Sequence, residues 1–370
     1  MREQIRLWFY STFFMSVVLT GRPPYRSVLT FEKLLDSSGR EMHGSWGNLI
    51  SAEDAFARMG ADVMRWLYCQ QPPTQNIRFG FEPAGEIKRG LLTVWNSVRF
   101  LTDYATIESF APRYGDLESG PTEADLRPLD VWLLARTQQL ITDATAAYDE
   151  YLTVNVLGTV EAFVEDLSNW YIRRSRRRFY SYDDAAFRAL WVALVQLVRV
   201  VAPIAPFLAE HLWQTLVTGP CDGAPDSVFL AGWPERQERV VNETLVREIA
   251  QSRRVGQLGR RARVQAGIRT RQPLRRVYVR GAPLAAAHAA EIAGELRVKA
   301  VGFDQGPVAE ARVMPDLRKL GPRLGTKVRA VKAALERGEL PAKGRGASPP
   351  HRLVAQRRRR SLLHGCRSVD

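Results

Sequence analysis

The sequence predicts a mainly α-helical protein, with a helical bundle at its centre and a small basic α+β region after it. After Phe81, apolar residues recur at spacings of three and four over four long stretches, which is the pattern of amphipathic helices. Short or moderate loops join these stretches, an arrangement typical of a bundle. Two β-like runs, around residues 277–279 and 298–303, lie between helical patterns and predict the α+β region.

Residues that begin or end helices divide the chain into elements. Gly21 ends a first helix, because glycine readily takes the left-handed conformation found at helix C-termini. Ser51 is a candidate N-cap, with Asp54 three residues later in the first turn. Pro203 and Pro206 interrupt the last bundle helix, because proline has no backbone N–H. The predicted helices cover residues 1–21, 52–59, 62–68 and about 87–104, 129–151, 154–178, 183–217, 242–261 and 325–337, and a strand is predicted over 27–31.

Basic residues concentrate in the last third of the chain. The 370 residues include 53 Lys+Arg and 39 Asp+Glu, for a net charge of +14. Residues 1–240 carry 24 basic and 29 acidic side chains, whereas residues 241–370 carry 29 and 10. A basic block of this size indicates a polyanion such as nucleic acid, or an anionic membrane surface, with a solvated basic tail as the alternative. From Pro341 onward the composition predicts a disordered tail.

Cysteines and apolar runs exclude several protein classes. Cys69, Cys221 and Cys366 are scattered, so that neither a disulfide framework nor a C-x-x-C zinc site is readable, and we expect a cytoplasmic protein without structural zinc. The apolar run 7–19 is too short to span a bilayer of about 30 Å and lacks a signal-cleavage pattern. A buried helix is the prediction for that run, and no membrane association is expected.

The loop from Asp36 to Asn48 contains three glycines, which allow tight turns and a close approach to a ligand. Ser45, the Asn48 amide and backbone N–H groups could contact phosphate oxygens, and His43 could add a hydrogen bond near neutral pH. An ordinary surface loop before a helix is the alternative.

Five arginines surround the predicted end of the third bundle helix, in the stretch SNWYIRRSRRRF at residues 168–179. Helical spacing places Arg173 beside Arg176 and Arg177, and guanidinium groups suit phosphate. Trp170 could stack on an unpaired base. The alternatives are that Trp170 belongs to the core and that the arginines complement the helix dipole.

Several of these stretches together resemble bacterial isoleucyl-tRNA synthetases, which are class I aminoacyl-tRNA synthetases. The resemblance covers about residues 3–340, and its motifs occur in the order of the family. It rests on EQIRLWFYSTFFMSVVLTGRPPYRSVLTFEKLLDSSGREMHGSWGN, AEDAFARMGADVMRWLYC, LSNWYIRRSRRRF, VAPIAPFLAEHLW, VGQLGRRARVQAGIRTRQPL, EIAGELRVKAVGF and PDLRKLGPRLGTKVRAVKAAL.

The resemblance implies a Rossmann-like catalytic domain, of which this chain holds a remnant at residues 1–75. It also implies a helical anticodon-binding domain at 76–235 and a basic C-terminal region at 236–340, before the tail at 341–370. The family joins isoleucine to tRNA(Ile) with ATP, accompanied by Mg²⁺. Its signature loop holds the ATP phosphates and falls here on Met42, His43, Gly44, Ser45 and Trp46.

The chain departs from the family in ways that bear on activity. Gly44 occupies the position of the signature lysine, and loss of one positioned donor commonly costs about 10²–10³ in rate. The H-I-G-H motif and the editing domain are absent from the sequence. We therefore expect a truncated or split isoleucine–tRNA ligase that mainly retains tRNA binding through Trp170, Arg173, Arg176 and Arg177, with a separate N-terminal polypeptide as a candidate partner. The alternative is a stand-alone tRNA- or RNA-binding module.

Overall fold

The structure, a computed structural model, describes residues 5–120 and 125–304 of the chain. Within these ranges the protein is mainly α-helical, as predicted, and no described helix is both long enough and apolar enough to cross a membrane. The helix predicted at 325–337 and the tail predicted at 341–370 lie outside the described residues.

Helices dominate the order of elements, and the strands are few and short. Helices α1 to α6 are Tyr10–Thr20, Ala52–Met59, Ala61–Cys69, Ala84–Glu108, Asp116–Ser119 and Pro128–Asp149. Helices α7 to α12 are Thr153–Glu165, Arg173–Tyr180, Asp184–Val201, Pro206–Trp213, Glu243–Gln265 and Ala289–Leu296. Strands β1 to β4 are Leu34–Leu35, Ile77–Arg78, Leu274–Arg280 and Val298–Asp304, and π-helical turns cover Ile5–Phe9, Asp166–Ile172 and Gln214–Thr218.

The N-terminal segment forms its helix but does not bury it. Gly21 ends α1 in the left-handed conformation, with φ of 67°, and its N–H donates to the carbonyl of Val17. The prediction of a buried helix is wrong, because no residue of α1 is buried against the rest of the described chain. The strand predicted at 27–31 is also wrong, since those residues have no regular structure. The strand lies further on, at β1, where β2 supplies a parallel partner for its backbone groups.

The core of the bundle surrounds α9, and 15 of the 18 residues of that helix are buried. A helix that is apolar all round is stable only when neighbours cover every face. Here α4, α6 and α10 pack around it. Among the largest fully buried side chains are Trp132, Phe163, Trp191 and Trp213. The predicted interruption at Pro203 and Pro206 is confirmed, because α9 ends at Val201 and α10 begins at Pro206.

Helices α2 and α3 share this core with the bundle. Met59 and Trp66 are buried in the same apolar cluster as the bundle residues. The Asp62 carboxylate accepts hydrogen bonds from the N–H groups of Phe207 and Leu208, at 3.3 and 2.7 Å, and so caps the start of α10. The sequence predicts that Asp62 starts its own helix, but α3 begins one residue earlier, at Ala61. The carboxylate instead caps a helix that lies about 145 positions later in the chain. The boundary predicted at residue 75 therefore separates two segments with a common core.

The basic α+β region contains α11 and a parallel β3–α12–β4 unit. Strands β3 and β4 pair from Leu274 opposite Val298 to Arg280 opposite Asp304, which confirms and lengthens both predicted strands. A small second cluster of Ala285, Ile292 and Leu296 packs against α11 and the sheet. The close approach of α12 to α11 requires Gly259, because a Cβ there would lie 2.5 Å from both methyl carbons of Leu296.

Two glycine substitutions should therefore have opposite effects on stability. Gly259→Ala should lower the free energy of unfolding by about 1–3 kcal/mol, because the added methyl overpacks a buried contact. Gly158→Ala in α7 is the matched control, since its Cβ would meet nothing within 4 Å, and it should raise stability by up to about 1 kcal/mol. Urea unfolding measures both. Equal changes in the two variants would contradict the packing assigned to Gly259.

Candidate functional site

The loop from Asp36 to Asn48 is held in shape by one carboxylate. Asp36 accepts hydrogen bonds from the Ser38 hydroxyl at 2.7 Å, the Arg40 N–H at 2.9 Å and the Asn48 side-chain amide at 2.8 Å. These bonds, led by that from Ser38, hold the pKa of Asp36 well below its ordinary value. The bond from Asn48 to Asp36 joins the two ends of the loop, and the same amide also donates to the carbonyl of Glu41 at 2.9 Å.

The signature residues form one tight turn at the surface. Residues Gly44–Trp46 make a single 3₁₀ turn, and the His43 ring nitrogen Nδ1 lies 2.8 Å from the Ser45 hydroxyl oxygen. The turn ends at Gly47, whose φ of 70° suits glycine. Trp46 is 65% exposed, with its ring centroid 5.4 Å from that of His43. Met42 instead packs against the main core.

Gly44 has no structural need to be glycine. Its φ is not positive, and a Cβ built on it would meet nothing within 4 Å. A longer side chain would extend from the turn into open space. The backbone of this turn would therefore accept a longer side chain, such as the lysine that the resemblance implies at this position.

Arg178, grouped by sequence with the surface arginines, has a structural role. Its guanidinium donates to both oxygens of Asp130, at 2.6 and 2.7 Å, and to Asp183 at 2.9 Å. Asp130 is fully buried and also accepts the Tyr171 hydroxyl at 2.7 Å. Burial, with the nearby Asp130 carboxylate, raises the pKa of Tyr171 well above its ordinary value, so that the phenol keeps the proton it donates.

Trp170 lies in the core, the alternative that the sequence left open. The side chain is 3% exposed. The guanidinium of Arg174 lies 4.7 Å from its ring centroid and that of Arg253 lies 5.9 Å away. An unpaired base cannot reach this ring in the observed conformation, and Trp170 supports the neighbouring arginines instead.

Three arginines were also predicted to bind tRNA. One of them forms an ion pair, and the other two are exposed. Arg173 donates to Glu295 of α12 at 2.7 Å, and Arg174 and Arg260 lie against the same carboxylate. These contacts tie α8 to the basic region. Arg176 and Arg177 are exposed and make no ion pair with the described residues. Their charge is available to an anion in solution.

Sequence reasoning missed a second buried junction, which joins the bundle to α11. The Asp166 carboxylate, at the start of the π-helical turn, accepts from Arg136 at 2.8 Å and also pairs with Arg253. No local pattern brings these three positions together, since they lie on separate helices. Within the described ranges, no group of three or more His, Cys, Asp or Glu side chains is placed to hold a metal ion.

Comparison with known proteins identifies the family. The profile of class I tRNA synthetases (I, L, M and V) matches residues 2–80, and the profile of the anticodon-binding domain of tRNA ligase matches residues 130–279. The isoleucine–tRNA ligase of Thermus thermophilus is 38% identical over 353 residues, which cover 90% of this chain. The chain belongs to the isoleucine–tRNA ligase family. The enzymes of Streptomyces avermitilis and Dehalococcoides mccartyi are 35% and 36% identical, over 90% and 96% of the chain.

The chain spans about a third of the length of these relatives, with 33%, 32% and 35% covered respectively. Among solved structures, a LeuRS from Agrobacterium radiobacter K84, in a ternary complex with tRNA and LeuAMS, matches 65% of this chain and 28% of its own. The TM-score is 0.52 and the identity 19%, so the likeness concerns the fold. The fold class is thereby confirmed: a remnant of the Rossmann-like class I domain, then a helical anticodon-binding domain and a small basic α+β region.

Two arginines of α8 should respond differently to substitution. Arg178→Ala leaves Asp130 buried without its cation and should destabilise the protein by about 3–5 kcal/mol. Arg177→Ala, one position away and exposed, should change stability by less than about 0.5 kcal/mol. Denaturant unfolding at neutral pH compares them. A small effect of Arg178→Ala would show that its contacts with Asp130 do not hold the bundle together.

Proposed function

We propose that the chain is part of an isoleucine–tRNA ligase and that its own contribution is to bind tRNA(Ile). The match of the anticodon-binding profile to residues 130–279 carries this proposal. That range includes α8, with the exposed Arg176 and Arg177, and α11. Open guanidinium groups on a rigid helix suit the phosphates of a folded RNA. Arg173, which pairs with Glu295, and the buried Trp170 would act by positioning these groups.

The loop at residues 42–46 supports a role beside ATP. Its Ser45 hydroxyl and His43 ring lie on an exposed turn, as contact with phosphates, accompanied by Mg²⁺, would require. The N–H groups of His43, Ser45 and Trp46 already donate within the loop. In the complete reaction, ATP and isoleucine give isoleucyl adenylate and pyrophosphate, and the isoleucyl group then passes to tRNA(Ile) with release of AMP. Without a lysine at Gly44, the loop supplies less charge stabilisation to the departing pyrophosphate.

A separate N-terminal polypeptide with the rest of the catalytic domain is the proposed partner for synthesis. Support comes from α1, which lies in the range that the class I profile matches. Large apolar side chains of this helix are exposed. An apolar face of this helix is exposed, of the kind that packs against another surface; more than half of each side chain is exposed in Tyr10, Phe14, Met15, Val18 and Leu19.

The glycine at position 44 favours the alternative function, a stand-alone tRNA- or RNA-binding module without aminoacylation.

Binding of tRNA(Ile) should depend steeply on salt and on the open arginines of α8. The double variant Arg176→Gln, Arg177→Gln should weaken binding and lower the slope of log K against log salt by about two, one for each lost phosphate contact. Arg89→Gln, an exposed arginine of α4 outside the profile-matched range, is the control and should leave both quantities unchanged. Filter binding from low to moderate salt measures them. No binding by the wild-type chain at low salt would overturn the proposed function.

Restoring the signature cation should raise catalysis if the chain works in a complete enzyme. With an N-terminal polypeptide supplied, Gly44→Lys should increase isoleucine-dependent ATP–pyrophosphate exchange by about 10²-fold, because it adds a positioned positive charge. Gly44→Gln is the uncharged control of similar length, and the open space at this position accommodates both. Exchange that is absent in every variant would favour the stand-alone binding module.

A further inference from the structure

A cleft lies where the remnant of the class I domain meets the bundle, between α3, β2 and α7. Its volume is about 560 Å³, within the range of about 300–1,000 Å³ that is typical of pockets for small molecules. Leu67 and Leu157 line it and are buried, and Val154 and Pro83 extend the apolar part of the lining. Gly158 also lines it, and a Cβ at this glycine would meet nothing within 4 Å. The cleft therefore presents an apolar wall with open space beside it.

Arg78 of β2 brings a positive charge to this cleft. Its backbone is held by the Gln71 side chain, which accepts from the Arg78 N–H at 2.8 Å and donates to the Arg78 carbonyl at 2.9 Å. The guanidinium lies beside Gly39 of the loop from Asp36 to Asn48, 3.6 Å from the position that a Cβ of Gly39 would take. Arg78 is exposed and makes no ion pair with the described residues. Its charge is therefore available to an anionic group in the cleft.

Glu161 of α7 brings a negative charge to the same cleft. Its carboxylate accepts a hydrogen bond from the Gln70 side-chain amide at 3.3 Å, is exposed and makes no ion pair with the described residues. A carboxylate has about four lone-pair sites, so that it can accept further hydrogen bonds from an ammonium group. Arg78 and Glu161 thus line one cleft without pairing with each other, and a ligand that carries both charges can bind to both.

The combination of two opposite charges and an apolar wall favours a zwitterion over other ligands. A polyanion such as RNA would place negative groups beside Glu161. A lipid chain or an apolar peptide segment would leave both charges without partners, which is costly once water is excluded. A free α-amino acid with an apolar side chain has a carboxylate for Arg78, an ammonium group for Glu161 and an apolar group for the wall. Pairs of guanidinium and carboxylate are among the stronger hydrogen-bonded contacts in proteins.

We propose that this cleft binds a free α-amino acid with a branched apolar side chain, with Arg78 on its carboxylate, Glu161 on its ammonium group and Leu67 and Leu157 against its side chain. The proposal goes beyond the proposed function, because it does not require tRNA binding. The cleft is open to solvent and does not enclose the side chain of the ligand. Leucine and isoleucine should therefore bind with similar affinity, in the millimolar range.

Saturation-transfer NMR with L-leucine and L-isoleucine on the full-length chain tests the cleft. Arg78→Gln and Glu161→Gln should each weaken binding about tenfold, because each removes a charge-assisted hydrogen bond. Gly158→Leu should abolish binding, because the new side chain fills the open space beside the apolar wall. Gly158→Ala and Arg89→Gln are the matched controls and should bind like the wild-type chain. Thermal unfolding of each variant shows whether the fold is retained, which the exposure of all four positions predicts.

Two blocked forms of leucine test the orientation of the ligand. Leucine methyl ester lacks the carboxylate, so that it should bind weakly and lose no further affinity in Arg78→Gln. N-acetyl-leucine lacks the ammonium group, so that it should bind weakly and lose no further affinity in Glu161→Gln. An ester that still loses tenfold in Arg78→Gln would contradict the contact between Arg78 and the carboxylate.

The outcomes separate this proposal from the proposed function. If the wild-type chain binds neither amino acid near its solubility limit, the cleft proposal is overturned, whether or not the chain binds tRNA. Binding that is the same in Arg78→Gln, Glu161→Gln, Gly158→Leu and Arg89→Gln would also overturn it, because the amino acid would then lie elsewhere. If the chain binds no tRNA but its affinity for leucine depends on Arg78 and Glu161, the proposed function fails and the cleft proposal stands.

Discussion

The fully buried carboxylate of Asp130 is the constraint on which the helical bundle depends. It lies in the first turn of α6 and receives the guanidinium of Arg178 and the hydroxyl of Tyr171. Removal of a carboxylate from water is costly, and hydrogen bonds of good geometry offset that cost. Because Arg178 also binds Asp183, which caps α9, one cation sets the relative positions of three helices. The open arginines of α8 are presented from this rigid base.

Two further carboxylates extend the same principle to the basic region. Asp166 forms ion pairs with Arg136 and Arg253. Glu295 forms ion pairs with Arg173, Arg174 and Arg260. A region with a large basic excess would otherwise repel the arginine-rich end of the bundle. Each of these acids binds several guanidinium groups at the contact, and its single negative charge reduces the repulsion between them. The arginines thus divide into those that assemble the protein and those available to a polyanion.

The loop from Asp36 to Asn48 keeps its shape independently of the side chain at position 44. Asp36 and Asn48 hold the turn through side-chain hydrogen bonds that do not involve position 44. Gly44 adds neither strain nor a close contact, so its side chain can change without altering the turn. Loop geometry and loop charge are therefore separable in this protein.

The sequence by itself determined the positions of most helices, because capping residues and apolar periodicity are local signals. Gly21 and Ser51 act at the predicted ends, the latter by accepting the N–H of Asp54 at 3.1 Å. The prediction of a strand at 27–31 is wrong, because a strand requires a partner strand that lies far away in sequence. Only the tertiary structure decided that Arg178 is a core residue while Arg177 is open, that Trp170 is covered, and that Arg78 borders a cleft. The reason is physical: the carboxylates and helices that make these distinctions come from distant parts of the chain, and no spacing within one helix records them.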